Sequence, residues 1–176
     1  SYDNPSPDVN CIGRLWSISD SSGTTLFYYD ERGREIRTVR SISGIDYIVE
    51  RAYDALDRLT SVEYPDGEIV NYTYDNAGQI EQVIGEEVYV NAIDYRASGQ
   101  MTMMHYGNGL TTDYTYDDAT LRIMNLQTND GALQNFTYGY DNVGNIKNIT
   151  DAVNTATQTF DYDDLNRLIH ADGQSY

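Results

Sequence analysis

Apolar and polar positions alternate with a period of two through most of this chain. Val70, Tyr72 and Tyr74 fall on one face of an extended segment, and Ile69, Asn71 and Thr73 on the other. Thr112, Tyr114 and Tyr116 repeat the arrangement opposite Asp113 and Thr115. Phe136, Tyr138 and Tyr140 follow, then Phe160 and Tyr162. Side chains alternate in this way along a strand, and Tyr, Thr, Val and Ile are strand-favouring residues. One face is aromatic and the other polar, which predicts an antiparallel sheet covered on one side. No segment sustains helical periodicity.

Each aromatic strand runs into the same phrase, roughly Y-D-x-x-G-R-L. It starts at Tyr29, Tyr53, Tyr74, Tyr95, Tyr116, Tyr140 and Tyr162, at intervals of 21 to 24 residues. The next residue is Asp30, Asp54, Asp75, Arg96, Asp117, Asp141 or Asp163; an aspartate there can bond the backbone amide two residues on. The fourth residue after Tyr is Gly33, Asp57, Gly78, Gly99, Thr120, Gly144 or Asn166. All but Thr120 are types that tolerate positive φ. These features predict a hairpin loop, a type I turn closed by a left-handed residue. Thr120 and the extra residue before Arg122-Ile123 predict a longer or bulged loop there. Tyr2-Asp3, followed later by Gly13-Arg14-Leu15, reads as an interrupted eighth copy.

A second set of turns falls between the phrases. The candidates are Ser21-Ser22-Gly23, Tyr64-Pro65-Asp66-Gly67, Tyr106-Gly107-Asn108-Gly109 and Asn129-Asp130-Gly131. Each repeat then divides into two strands of about six or seven residues, roughly 20 Å long, and two tight turns. One such unit cannot bury a core alone, so neighbours must stack. The fold expected is all-β: stacked antiparallel hairpins forming a curved, spiralling sheet, shell-like or tube-like. All of residues 1–176 read as one repeat domain of seven to eight copies, the first and last atypical. The chain opens without an obvious cap and stops within a repeat, so unpaired edges are expected to accept further repeats or copies of itself.

Composition narrows the partners. The net charge of −17, with one lysine, Lys147, disfavours nucleic acid and anionic membrane surfaces. No apolar run is long enough to span a bilayer. The single Cys11 has no internal partner for a disulfide; it reads as an inert thiol, or as one that pairs with another chain.

The Y-D-x-x-G-R-L phrases resemble the YD, or RHS, repeats, and Tyr64-Pro65-Asp66-Gly67 followed by Tyr72-Thr73-Tyr74-Asp75 looks like a full family unit. That family occurs in bacterial RHS toxins, in the BC shell of insecticidal Tc toxins and in teneurins. The resemblance implies hairpins that spiral into a hollow shell. The D-P-x-G-L element that accompanies self-cleavage in toxin versions does not occur here, so no aspartyl autoproteolytic site is carried over.

Candidate chemistry is sparse. Asp161, Asp163 and Asp164 cluster, as do Asp117 and Asp118, but most of these aspartates stand at turn positions. No D-x-D-x-D-G calcium loop, catalytic motif or Cys/His metal spacing is present. His105 and His170 stand apart. No cofactor and no catalytic residue is expected. The seventeen tyrosines admit two readings: bodies packing the covered face with hydroxyls reaching water or turns, or exposed rows stacking on sugars. The expectation is a non-enzymatic structural module, secreted or at the cell surface. Its rivals are a subunit of a self-assembling filament or tube, and a module binding glycans or cell-surface proteins.

Overall fold

The computed structural model of the chain describes residues 1–2, 10–172 and 174–175. Asp3 of the opening copy, and Gly173 and Tyr176 at the other end, lie outside them. The described residues form strands and turns only. They divide into two compact units, Ser1–Tyr89 and Val90–Tyr176.

The first unit holds β1 (Ser17–Asp20), β2 (Gly23–Tyr29), β3 (Glu35–Ile42), β4 (Ile45–Tyr53), β5 (Leu59–Glu63), β6 (Ile69–Tyr74) and β7 (Ile80–Ile84). β8 (Val88–Tyr95) begins in it and runs into the second. There follow β9 (Met101–Tyr106), β10 (Thr111–Tyr116), β11 (Ile123–Thr128), β12 (Gln134–Tyr140), β13 (Ile146–Asp151), β14 (Ala156–Tyr162), β15 (Leu168–Ala171) and β16 (Gln174–Ser175). Within each unit every strand pairs antiparallel with its neighbours in sequence. This all-β stack of hairpins is the fold the repeat pattern predicts.

The aromatic face is thinly covered. Among the described residues of each unit the strands touch their ladder neighbours, and no second layer of elements packs against the sheet there. The buried apolar residues among those described are Cys11, Val39, Val62 and Val70, joined by Ser17 and Thr112. Val62 and Val70 are direct cross-strand partners. Tyr72 and Tyr74 on the same face stay half-buried. Where the alternation predicts a sheet covered on one side, the cover is supplied by its own tyrosines and valines, paired across strands.

The seven phrases close their hairpins alike. Tyr29 pairs with Glu35 but Tyr28 with Arg37, so Ile36 is passed over. The same shift passes over Thr60, Glu81, Thr102, Met124, Lys147 and Ile169 in the later phrases. Each shift is a β-bulge, which bends the bulged strand and increases its twist. The bulge was not foreseen in the sequence.

Candidate functional site

Alternate turns of a meander lie on one edge of the sheet, so in each unit the phrase turns form a row. Their geometry is built from the aspartate outward. In the first turn the Gly33 amide donates to the Asp30 carbonyl at 2.9 Å, and the Asp30 amide to the Arg34 carbonyl at 3.0 Å. Gly33 has φ +84°, and Asp57, Gly78, Gly99, Gly144 and Asn166 are also at positive φ. In the Tyr116 phrase the left-handed residue is Leu121, φ +58°. The extra residue moves that role one place beyond Thr120, and the Leu121 amide reaches back to the Asp117 carbonyl at 2.8 Å.

The aspartate carboxylate holds the loop shut. Asp54 Oδ1 accepts the amides of Leu56 and Arg58 at 2.8 and 3.0 Å, while Oδ2 accepts Arg58 Nε at 2.7 Å. Asp163 does the same with Leu165 and Arg167. Asp30 takes the amides of Arg32 and Arg34 and the Nε of Arg34, and Asp141 the amide and side-chain amide of Asn145. Asp75 accepts the amides of Ala77 and Gln79. Asp117 accepts the amide and hydroxyl of Thr120, both at 2.7 Å. The backbone amides of Arg58 and Arg167, and then their guanidinium groups, hold the Asp54 and Asp163 carboxyls below the usual range. At Asp30 and Asp141 desolvation opposes this and the hydrogen bonds outweigh it. The set of residues that close most of these turns thus includes the one after the left-handed position, whose side chain the local turn rules do not specify.

Two further contacts run from most repeats to the one before. The phrase tyrosine donates its hydroxyl to the carbonyl that opens the preceding phrase's outgoing strand. Tyr29 reaches Leu15 at 2.7 Å, Tyr53 reaches Glu35 at 2.9 Å and Tyr74 reaches Leu59 at 2.6 Å. In the second unit Tyr116 reaches Met101 at 2.8 Å, Tyr140 reaches Ile123 at 2.7 Å and Tyr162 reaches Ile146 at 3.1 Å. Burial raises the phenol pKa of Tyr53, Tyr116 and Tyr140, which keeps the donating proton in place. Over the same rings lie arginines of the preceding phrase. Arg34 stands 4.9 Å from the Tyr53 centroid, Arg58 4.4 Å from Tyr74 and Arg122 5.6 Å from Tyr140, within cation–π range. Arg96, at the position aspartate holds elsewhere, reaches the Tyr116 ring at 5.9 Å and pairs with Asp118 at 2.7 Å. Tyr95 is placed at the end of β8 and opens a turn in which Gly99 donates to the Arg96 carbonyl at 2.8 Å.

The remaining candidate chemistry is accounted for by ordinary partners. Asp161 forms an ion pair with Lys147 at 2.6 Å, and His105 pairs with Asp94 at 3.1 Å. Cys11 is fully buried, and that burial raises its pKa against the opposing charge of Arg14. No group of three metal-ligating side chains occurs among the described residues. A trough of about 560 Å³ lies between Tyr28, Arg37, Glu50, Arg51 and Glu63. In its lining Arg37 pairs with Glu50, and Arg51 pairs with Glu35 outside it.

This geometry defines a β-hairpin repeat module whose recurrent contacts run from one repeat to the next. The family model described as RHS Repeat matches residues 53–86. Among solved structures, the chain resembles the crystal structure of TcdB2-TccC3, with TM-score 0.76 and 22% identity, over 97% of this chain and 10% of that one. It also resembles TcdB2-TccC3-Cdc42, with TM-score 0.73 and 24% identity, over 92% and 10%. The Photorhabdus luminescens Tc holotoxin pore gives TM-score 0.71 and 23% identity, over 93% and 10%. The chain therefore spans about a tenth of the length of the structures it matches. No curated protein matches it. Residues 53–86 match an RHS repeat, and the fold of the chain is that of the Tc toxin chains it resembles.

Proposed function

We propose that this chain is a non-enzymatic wall segment of a secreted or cell-surface YD/RHS shell. The observation that carries the reading is the tyrosine tie, made to the preceding repeat by the same hydroxyl at six phrases. A tie that always points to the neighbouring repeat adds wall without any limit set by a single unit. Of the clustered aspartates, Asp117 and Asp163 are engaged in closing turns, and Asp118 and Asp161 in ion pairs. The likeness to structures of a toxin pore and its component complexes favours a setting outside the producing cell. Its partners on this reading are further YD/RHS repeats, with no cofactor.

The turn residues Tyr29, Asp30 and Gly33, and their counterparts in the six later phrases, are the working positions of such a wall. Light scattering after size exclusion, with negative-stain images across concentration and salt, tests the reading. A discrete species of constant mass is the expected result. Filaments or tubes that lengthen with concentration would overturn it in favour of a polymer subunit. Retention on a glycan array that persists across salt would overturn it in favour of a binding module.

A further inference from the structure

Positive φ explains why glycine, aspartate or asparagine occupies the left-handed position of a turn. It does not explain which of them stands where. The preceding turn narrows the choice. At Gly33 an added Cβ would lie 2.1 Å from Arg14 Nη2, and at Gly144 it would lie 2.2 Å from Arg122 Nη2. In both places a guanidinium lies flat against the glycine backbone. At Asp57 the carboxylate instead accepts Arg34 Nη1 at 2.7 Å and Arg32 Nη1 at 2.6 Å. At Asn166 the side-chain oxygen accepts Asn145 Nδ2 at 2.9 Å. Leu121, with no polar side chain, offers its carbonyl to Gln100 Nε2 at 2.6 Å. Gly78 stands apart: Arg58 Nη1 would be 3.6 Å from its Cβ, an ordinary contact.

We infer that the residue after the left-handed position of one phrase and the left-handed residue of the next form a pairing code that selects which repeat can follow which. The pairs are arginine on glycine, arginine with aspartate, asparagine with asparagine, and glutamine with a bare carbonyl. The pairs at Asp57, Asn166 and Leu121 satisfy donors of one turn with what the next presents, and at Gly33 and Gly144 the missing side chain makes room for the arginine. A mismatch leaves a partly desolvated guanidinium or amide without its acceptor, or drives a Cβ into it. The arginine also stacks on the next phrase tyrosine, so displacing it disturbs a second contact of the same neighbour. The code restricts the order of repeats, a property that the tyrosine tie, alike at the six phrases that show it, cannot supply. It holds whether or not the chain forms a shell wall.

Double-mutant cycles on thermal unfolding of the whole chain test it. Gly144→Asn is expected to lower the midpoint by about 3–6 °C, and Gly78→Asn, which has room, by clearly less. Arg122→Asn made together with Gly144→Asn recreates the Asn145–Asn166 pair and is expected to recover most of the loss. An independent cycle uses Asn166→Asp with Asn145→Arg, which recreates the Arg34–Asp57 pair. Its double variant is expected to melt above Asn166→Asp alone. Losses that simply add in both cycles, or equal losses at Gly144 and Gly78, would overturn the code. Should Gly144→Asn fail to fold, the second cycle decides between the same two outcomes.

Discussion

The two edges of the sheet close their hairpins by different rules. On one edge the phrase turns share one geometry, with an aspartate clamp in most and a left-handed residue in each. On the other edge the closures differ. Asp20 caps the amides of Ser22 and Gly23. Ser43 and Gly44 both have positive φ, which makes a two-residue turn of the mirror-image type. Tyr64–Gly67 and Tyr106–Gly109 form turns like those of the phrases, without the aspartate clamp. Asn129, Asp130 and Gly131 are left-handed in succession. Contacts between turns on this edge are individual, such as Arg40 with Ser22 and Tyr89 with Glu68. Where a turn must only close a hairpin, many sequences serve. Where it must also grip the next repeat, one phrase recurs.

A matched glycine pair breaks this comparison most sharply. Gly144 and Gly109 both have positive φ, +104° and +84°, but only Gly144 meets a neighbouring turn. Gly109→Val bears the backbone strain alone and is expected to cost about 1–2 kcal/mol. Gly144→Val adds the displacement of Arg122 and is expected to cost about 3 kcal/mol. Equal costs in urea unfolding would mean that the phrase edge grips nothing.

Acid titration addresses the clamps. Asp54, Asp117 and Asp163 titrate lower in the fold than in the unfolded chain. Their contribution is complete above the ordinary aspartate value near ~4 and is lost as pH falls through the lowered values of the fold. Asp20, on the opposite edge, is held at about 2 by the Ser22 hydroxyl and amide before Arg40. Unfolding midpoints should therefore drop between about pH 4 and pH 2, and Asp54→Asn should flatten that drop. A profile identical to the parent would remove the Asp54 clamp from the account. The smallest effects belong to the exposed tips. Leu56 and Leu165 are each 72% exposed, and Leu165→Ser should shift stability by less than about 0.5 kcal/mol.

The turn edge was largely legible in sequence because its requirements are local. Positive φ restricts Gly33, Gly78 and Gly144, and an aspartate beside the tyrosine announces its own amide bonds. The Tyr116 loop was legible as irregular from its extra residue, though not that Leu121 would take the left-handed place. Contacts between repeats were hidden, since Arg34 and Asp57 lie 23 residues apart and no local rule pairs them. The bulges were hidden because passing over one residue leaves the incoming aromatic alternation intact. On the other edge the turns at Ser43-Gly44, Gly85–Glu87 and Asn154-Thr155 went unmarked. Only the Ser-Gly pair carries a recognisable turn signal.

The tyrosine hydroxyl tests the grip between repeats with the least disturbance. Tyr53→Phe, Tyr116→Phe and Tyr140→Phe each remove one hydrogen bond to the preceding repeat and leave the ring in place. Tyr47→Phe, on the strand between the edges, removes a hydroxyl that the structure gives no partner. Urea unfolding should show losses of about 1 kcal/mol for each phrase tyrosine and a change near zero for Tyr47. Phrase variants as stable as Tyr47→Phe would contradict the claim that these repeats are held to one another along a single edge.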